Sequence, residues 1–208
     1  MAEVKKTRRE KAEFTRLRIL QAAREEFAEK GYHGATMASI AERARVAGQT
    51  VYFVFHTKSQ LISQLVDLLV TGTDPPEIPQ ETEWWAAMRA DHSAAEALCH
   101  FIRGAAPLFA RASAIAEVLR AAALTDPEVH ETYAHHEQLR YTGFREVIEL
   151  IVAKGKLRGG LDLESATDVL LAVLSDSTYY QLTVERGWSA DRFTRWACDA
   201  LPAMLLDA

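Results

Sequence analysis

The chain has 208 residues, 49% of them hydrophobic and 25% charged, which fits one or two globular domains with a full apolar core and excludes both wholesale disorder and a disulfide-stapled miniprotein. The net charge of −5 hides a division: residues 1–58 carry 12 Lys and Arg against 7 Glu, a balance of +5, so the remainder carries −10 and only the first piece suits a polyanion. Cys99 and Cys198 form no CxxC pair, which removes zinc-finger spacing and points to a reducing compartment. No apolar run reaches membrane-spanning length and no apolar leader opens the chain, so a cytoplasmic protein with no membrane contact is expected.

Taken in chain order, almost everything reads as helix. A basic arm, Lys5-Lys6-Thr7-Arg8-Arg9, precedes a helix from Arg9 to Lys30 whose Leu17, Leu20, Ala23 and Phe27 recur at three- and four-residue steps, and Gly31 supplies a left-handed cap. Thr36 caps a short helix carrying Met37, Ile40, Ala41 and Ala44 inward; a tight turn near Arg45-Val46 leads to a second short helix, Gln49 to Val54. Thr57-Lys58-Ser59-Gln60 is a capping box opening a helix with Leu61, Leu65, Leu68 and Leu69 that ends near Gly72. The stretch 73–79 holds three of the six prolines and reads as a loop. Beyond it helices are predicted at about 80–105, 107–123, 127–154, 162–186 and 190–206 from caps at Asp126-Pro127, Asp162 and Ser189 and breaks at Gly155 and Gly159-Gly160, with Pro202 bending the last helix or marking its final turn. The predicted fold class is all-α, with about nine helices.

Two short helices joined by a four-residue turn are a helix-turn-helix candidate. The spacing over 36–58 turns Ile40, Ala41, Ala44, Val46, Val51 and Phe55 inward and leaves Gly48, Gln49, Thr50, Tyr52 and Phe53 outward. An outward Tyr and Phe beside Gln and Thr suit a major groove, where amides and hydroxyls reach base edges and an aromatic ring touches a thymine methyl.

This segment resembles the tetracycline-repressor (TetR) family over residues 12–65, through Ile19-Leu20, Ala22-Ala23, Phe27, Gly31-Tyr32, Gly34, Thr36, Ile40-Ala41, Ala44, Val46, Thr50-Val51-Tyr52, Phe55, Lys58 and Leu61. Beyond residue 70 the likeness is one of length and helical layout. The resemblance implies a three-helix DNA-binding domain at 8–58, an effector-binding and dimerisation domain at 59–208, and a ligand-responsive regulator, a repressor, acting on a double-stranded DNA operator. It places Gln49, Thr50 and Phe53 near bases, and Thr36, Tyr52 and Lys58 at phosphates; Gly48 and His56 are further candidate DNA-binding residues. Two departures stand out. Arg45 occupies a turn position where the family often has glycine, and Ala47-Gly48 replaces a capping Ser, which removes one cap or phosphate contact. The basic arm either enters an adjacent minor groove or is a solvated tail.

In the body, an apolar effector pocket is expected around Trp85, Met88, Phe101, Phe109, Tyr141, Phe144 and Tyr179, with His136 or Asp176 orienting the ligand; core and dimer packing is the competing account of the same residues. The last two helices offer Ala166, Val169, Leu170, Val173, Ser177 and Tyr180, then Phe193, Trp196, Ala197, Ala200 and Met204 at helical spacing; the resemblance implies that they pair into a four-helix homodimer interface, which would set two recognition helices about 34–36 Å apart, the alternative being a monomer with a buried C-terminal hairpin. His130, Glu131, His135, His136 and Glu137 lack the His-Glu-x-x-His spacing and read as a solvated face, so no metal and no cofactor are expected. No nucleophile elbow, phosphate loop or dinucleotide fingerprint occurs. An all-helical enzyme with an apolar cavity and an architectural DNA-binding protein without effector remain the alternatives.

Overall fold

The computed structural model describes residues 7–72 and 79–207. Its helices are α1 (Arg8–Gly34), α2 (Met37–Ala44), α3 (Gly48–Phe55), α4 (Lys58–Thr71), α5 (Glu83–Ala90), α6 (Ala94–Ala123), α7 (Pro127–Val152), α8 (Leu163–Val173), α9 (Asp176–Tyr180) and α10 (Ala190–Leu205), with a 3-10 turn at Pro79–Glu81 and a π-helical turn at Gln181–Glu185. Among the described residues the sole β pairing is one antiparallel bridge, Leu157 to Leu206. No described helix is long and apolar enough to cross a membrane. Lys5 and Lys6 of the basic arm and residues 73–78 of the proline loop lie outside the described residues.

The chain divides into two compact units. The first holds the described residues up to Val66 together with Val118–Thr132, and the second holds Asp67–Glu117 and the chain from Tyr133 onward. The first therefore takes in the start of α4 and the α6–α7 turn as well as residues 8–58.

In the first unit Thr7 opens α1 with a reciprocal capping box to Glu10, so Arg8 and Arg9 sit in the helix's first turn. Burial begins only at Ile19. Ile19, Leu20, Ala23 and Phe27 of α1 are fully buried, as are Ile40, Val51, Phe55, Leu61, Ile62 and Val129 of the same unit, each large side chain contributing roughly 1.5–3 kcal/mol. Leu17, expected inward, is 36% exposed, because no buried residue lies in the turns of α1 before Ile19. Gly31 has φ 67° and breaks the helical path as the sequence predicts.

In the second unit one apolar cluster gathers α5, α6, α7, α8, α9 and α10. Three helix boundaries differ from those read in the sequence. Asp91 accepts from Ser93 N–H at 2.8 Å, an Asx turn that divides the single helix expected at 80–105. Pro107 lies inside α6 without ending it: Pro107 and Arg103, whose carbonyl loses its helical partner, are both on the exposed face of the helix. Ser175 caps a new helix by accepting from Thr178 N–H at 3.0 Å, and this divides the helix expected at 162–186. Arg111 closes the C-terminal end of α4 by donating to Leu69 O and Val70 O at 3.0 and 3.1 Å, and Lys154 does the same for α5 through Arg89 O and Asp91 O.

Candidate nucleic-acid interface and effector site

The first unit sets α2 on α1 by charge. Arg43 of α2 donates to Glu26 Oε1 at 2.7 Å, to both Glu29 oxygens at 2.6 and 2.9 Å and to Glu25 at 3.3 Å. Lys30 adds a second donor to Glu26 at 2.8 Å. Glu26 is only 2% exposed, yet Lys30, Ser39 and Arg43 hold its carboxyl at about 2. Bonds from Glu29, Glu26 and Glu25 in turn push the Arg43 guanidinium above its ordinary range.

The turn is fixed just as tightly. Thr36 and Ser39 form a reciprocal capping box at the start of α2, with bonds of 3.0 and 3.1 Å. Arg45 adopts the left-handed conformation, φ 53° and ψ 49°, the strained position that the missing glycine announces. Arg18 offsets part of that strain by donating to Ala44 O and, at 3.0 Å, to Arg45 O. Ala47 caps α3 with no side-chain bond, as its composition predicts.

On α3 only Val51 and Phe55 are buried. Gly48, Gln49, Tyr52 and Phe53 face outward with Phe53 82% and Tyr52 55% exposed, and Thr50 is half-buried. His56, exposed, ends the helix at positive φ. An aromatic ring that exposed costs hydrophobic free energy unless a partner covers it. Lys58, expected at phosphate, is committed internally first: its ammonium donates to Tyr32 O at 2.7 Å and Ala35 O at 3.0 Å and lies 4.2 Å from the Tyr32 ring centroid. Burial lowers its pKa. The sequence could not show this, because the carbonyls lie more than 20 residues away. Arg8, Arg9, Lys11, Arg24 and Arg45 are exposed, which puts positive charge on α1 and at the turn.

In the second unit Trp85, Met88, Phe101, Phe109, Phe144 and Tyr179 are all buried in the one cluster. Phe101 meets Phe144 edge-on at 5.3 Å, and Trp85 and Trp84 pack beside it at 6.4 and 6.0 Å. Phe109 stacks on Tyr179, which meets Phe193 at 4.8 Å. Trp84, absent from the residues expected to line the pocket, lies so close to Gly104 that a Cβ there would come within 2.2 Å of its ring. Tyr141 does not join this cluster; it is half-buried and bonds to Arg145. His136 Nδ1 lies 3.8 Å from Asp67, and burial lowers its pKa. Asp176 faces Arg140 at 3.9 Å, and Arg140 holds Glu137 at 2.6 Å. Burial raises Asp176 to about 6 against the opposing pull of Arg140. Ser177 donates to Glu117 beside it. Among the described residues two buried donors, Trp85 Nε1 and Arg140 Nε, meet no acceptor. The Glu137/Arg140 pair carried an i,i+3 signal in the sequence; the orphaned Trp85 N–H carried none.

Of the residues expected at a dimer interface, Ala166, Leu170, Phe193 and Ala197 are fully buried within the protomer. Val169, Val173, Trp196, Ala200 and Met204 keep exposed surface.

Residues 19–65 match the family model described as "Bacterial regulatory proteins, tetR family". The chain is 27% identical over 188 residues to the uncharacterized HTH-type transcriptional regulator YdeS of Bacillus subtilis, covering 90% of this chain and 87% of that one. Its fold is similar to that of the transcriptional regulator FadR of Bacillus subtilis in complex with stearoyl-CoA, with a TM-score of 0.71 at 18% identity over 90% of this chain and 98% of that one. It is equally similar to NalD, the secondary repressor of the MexAB-OprM multidrug efflux pump in Pseudomonas aeruginosa, with a TM-score of 0.71 at 21% identity over 94% and 98% of the two chains.

Proposed function

We propose that this chain is a transcriptional regulator of the TetR family, a homodimeric repressor released from its operator by a small apolar effector. The observation that carries the reading is the outward face of α3, where Gln49, Tyr52 and Phe53 stand exposed on a helix whose other face is anchored by Val51 and Phe55. Gln49 and Thr50 read base edges, and Phe53 packs on a thymine methyl. Thr36 and Tyr52 donate their hydroxyl protons to phosphates, and Arg45 and the first turn of α1 add charge. Lys58 chiefly fixes the corner between α1 and α2.

The effector lies among Trp85, Met88, Phe101, Phe109, Phe144 and Tyr179, and an acceptor on it meets the orphaned Trp85 N–H. FadR's complex with stearoyl-CoA supports an apolar ligand class, and NalD's role as a repressor supports the direction of control. Helices α4, α6 and α7 each continue from one compact unit into the other. Within the first unit, Glu128 and Thr132 of α7 bond to Thr57 and Ser59 at the start of α4, and Thr125 bonds to His33 of α1. A shift of α6 and α7 on effector binding therefore reaches α1 and α4, which carry α2 and α3. A coupling of about 1–3 kcal/mol gives a 5- to 150-fold response. The dimer forms through the surface left on α8 and α10 by Val169, Val173, Trp196, Ala200 and Met204.

Selection from random duplexes tests the reading. A palindrome with half-sites about one helical turn apart is expected. Retention of duplexes without an enriched sequence would contradict it.

A further inference from the structure

The sequence separates Cys99 from Cys198 by 99 residues, but the fold brings them together. Cys99 lies on α6 and Cys198 on α10, and each thiol points at the other residue's backbone: Cys99 Sγ lies 3.5 Å from Cys198 O and Cys198 Sγ lies 3.9 Å from Cys99 O. That reciprocal arrangement requires the two backbones to face each other closely, with a side chain of each directed across the gap, as a disulfide does. The environments are unequal. Cys99 is buried, and burial together with the adjacent Cys198 thiol pushes it up to about 12, whereas Cys198 keeps exposed surface.

We propose that Cys99 and Cys198 form a reversible oxidation site, a dithiol that a hydroperoxide converts into a disulfide fastening α10 to α6. The Cys198 thiolate attacks the peroxide O–O bond, giving a sulfenic acid and an alkoxide or hydroxide that takes up a proton. The Cys99 sulfur then attacks the Cys198 sulfur, the S–OH bond breaks, and the hydroxide leaves as water with the Cys99 proton. The two sulfurs lose two electrons to the peroxide, and an external thiol reverses the bond by exchange. The site does not depend on which molecule the aromatic cluster binds.

The full chain, treated folded with hydrogen peroxide and then unfolded in a thiol-alkylating reagent, should lose both alkylatable thiols and weigh about 2 Da less, all as monomeric chain, with dithiothreitol restoring both. Cys99→Ser should leave a sulfenic acid on Cys198 that a dimedone trap captures. Cys198→Ser should leave Cys99 reduced. Two thiols surviving in peroxide-treated wild type would overturn the proposal, as would chains linked to one another or sulfinic and sulfonic acids in place of the bond. Oxidation of Cys99 in Cys198→Ser at the wild-type rate would overturn the order of attack.

Discussion

Replacing Glu26 by Gln probes the anchor that sets α2 on α1. The carboxylate is buried and receives Lys30 at 2.8 Å and Arg43 at 2.7 Å. These donors and Ser39 hold it at about 2 against an ordinary value of 4.5. At 1.36 kcal/mol per unit this corresponds to roughly 3 kcal/mol, and solvent screening around the partly exposed Arg43 and Lys30 reduces it to about 2 kcal/mol. The folded pKa is depressed, so this stability is fully present above about pH 4.5 and is lost as pH falls toward 2. Urea unfolding of wild type and Glu26→Gln should therefore differ by about 2 kcal/mol at pH 7, with the gap closing by more than half between pH 5 and pH 3. A gap that stays constant over that range would refute the electrostatic account and leave only the shape of the side chain.

Three further outcomes follow from local geometry. Ala47→Ser supplies the cap that α3 lacks and should stabilise by about 1 kcal/mol, a rise of roughly 2–4 °C in Tm by calorimetry; no rise would mean that the first turn of α3 is already satisfied. Gly104→Ala drives a methyl group into the Trp84 ring and should cost about 1–3 kcal/mol with an altered tryptophan emission spectrum, and an unchanged Tm would contradict that packing. Asp176 carries a raised pKa of about 6 in the fold, so the folded chain holds a proton that the unfolded chain has already released between about pH 4 and 6. Wild type should thus lose stability relative to Asp176→Asn as pH rises through that window, and parallel stability curves would remove the burial argument.

The helix-turn-helix was legible because its signals are local. Thr36, the inward positions of α2, Gly31 and the substitutions at Arg45 and Ala47 each act within a few residues, and the structure displays the corresponding cap, positive φ values and uncapped helix start. The breaks at Asp91-His92-Ser93 and Ser175 were equally local but were masked by continuous apolar periodicity on either side. Other features depend on distant chain and leave no local trace. Lys58 turns to the carbonyls of Tyr32 and Ala35 on either side of Gly34, and Arg43 reaches three carboxylates of α1. Cys99 meets Cys198, and Tyr141 turns to Arg145 and lies outside the aromatic cluster. Composition located the apolar cluster, but which of its members line a ligand depends on the packing of six helices.

That the outer face of α3 reads bases is tested most directly by fluorescence anisotropy on the selected operator beside a random duplex. Gln49→Ala should lose about 1–3 kcal/mol on the operator and little on random DNA, whereas Tyr52→Phe, which removes a phosphate donor, should weaken both alike. Equal losses on both duplexes for Gln49→Ala, or no loss on either, would contradict it.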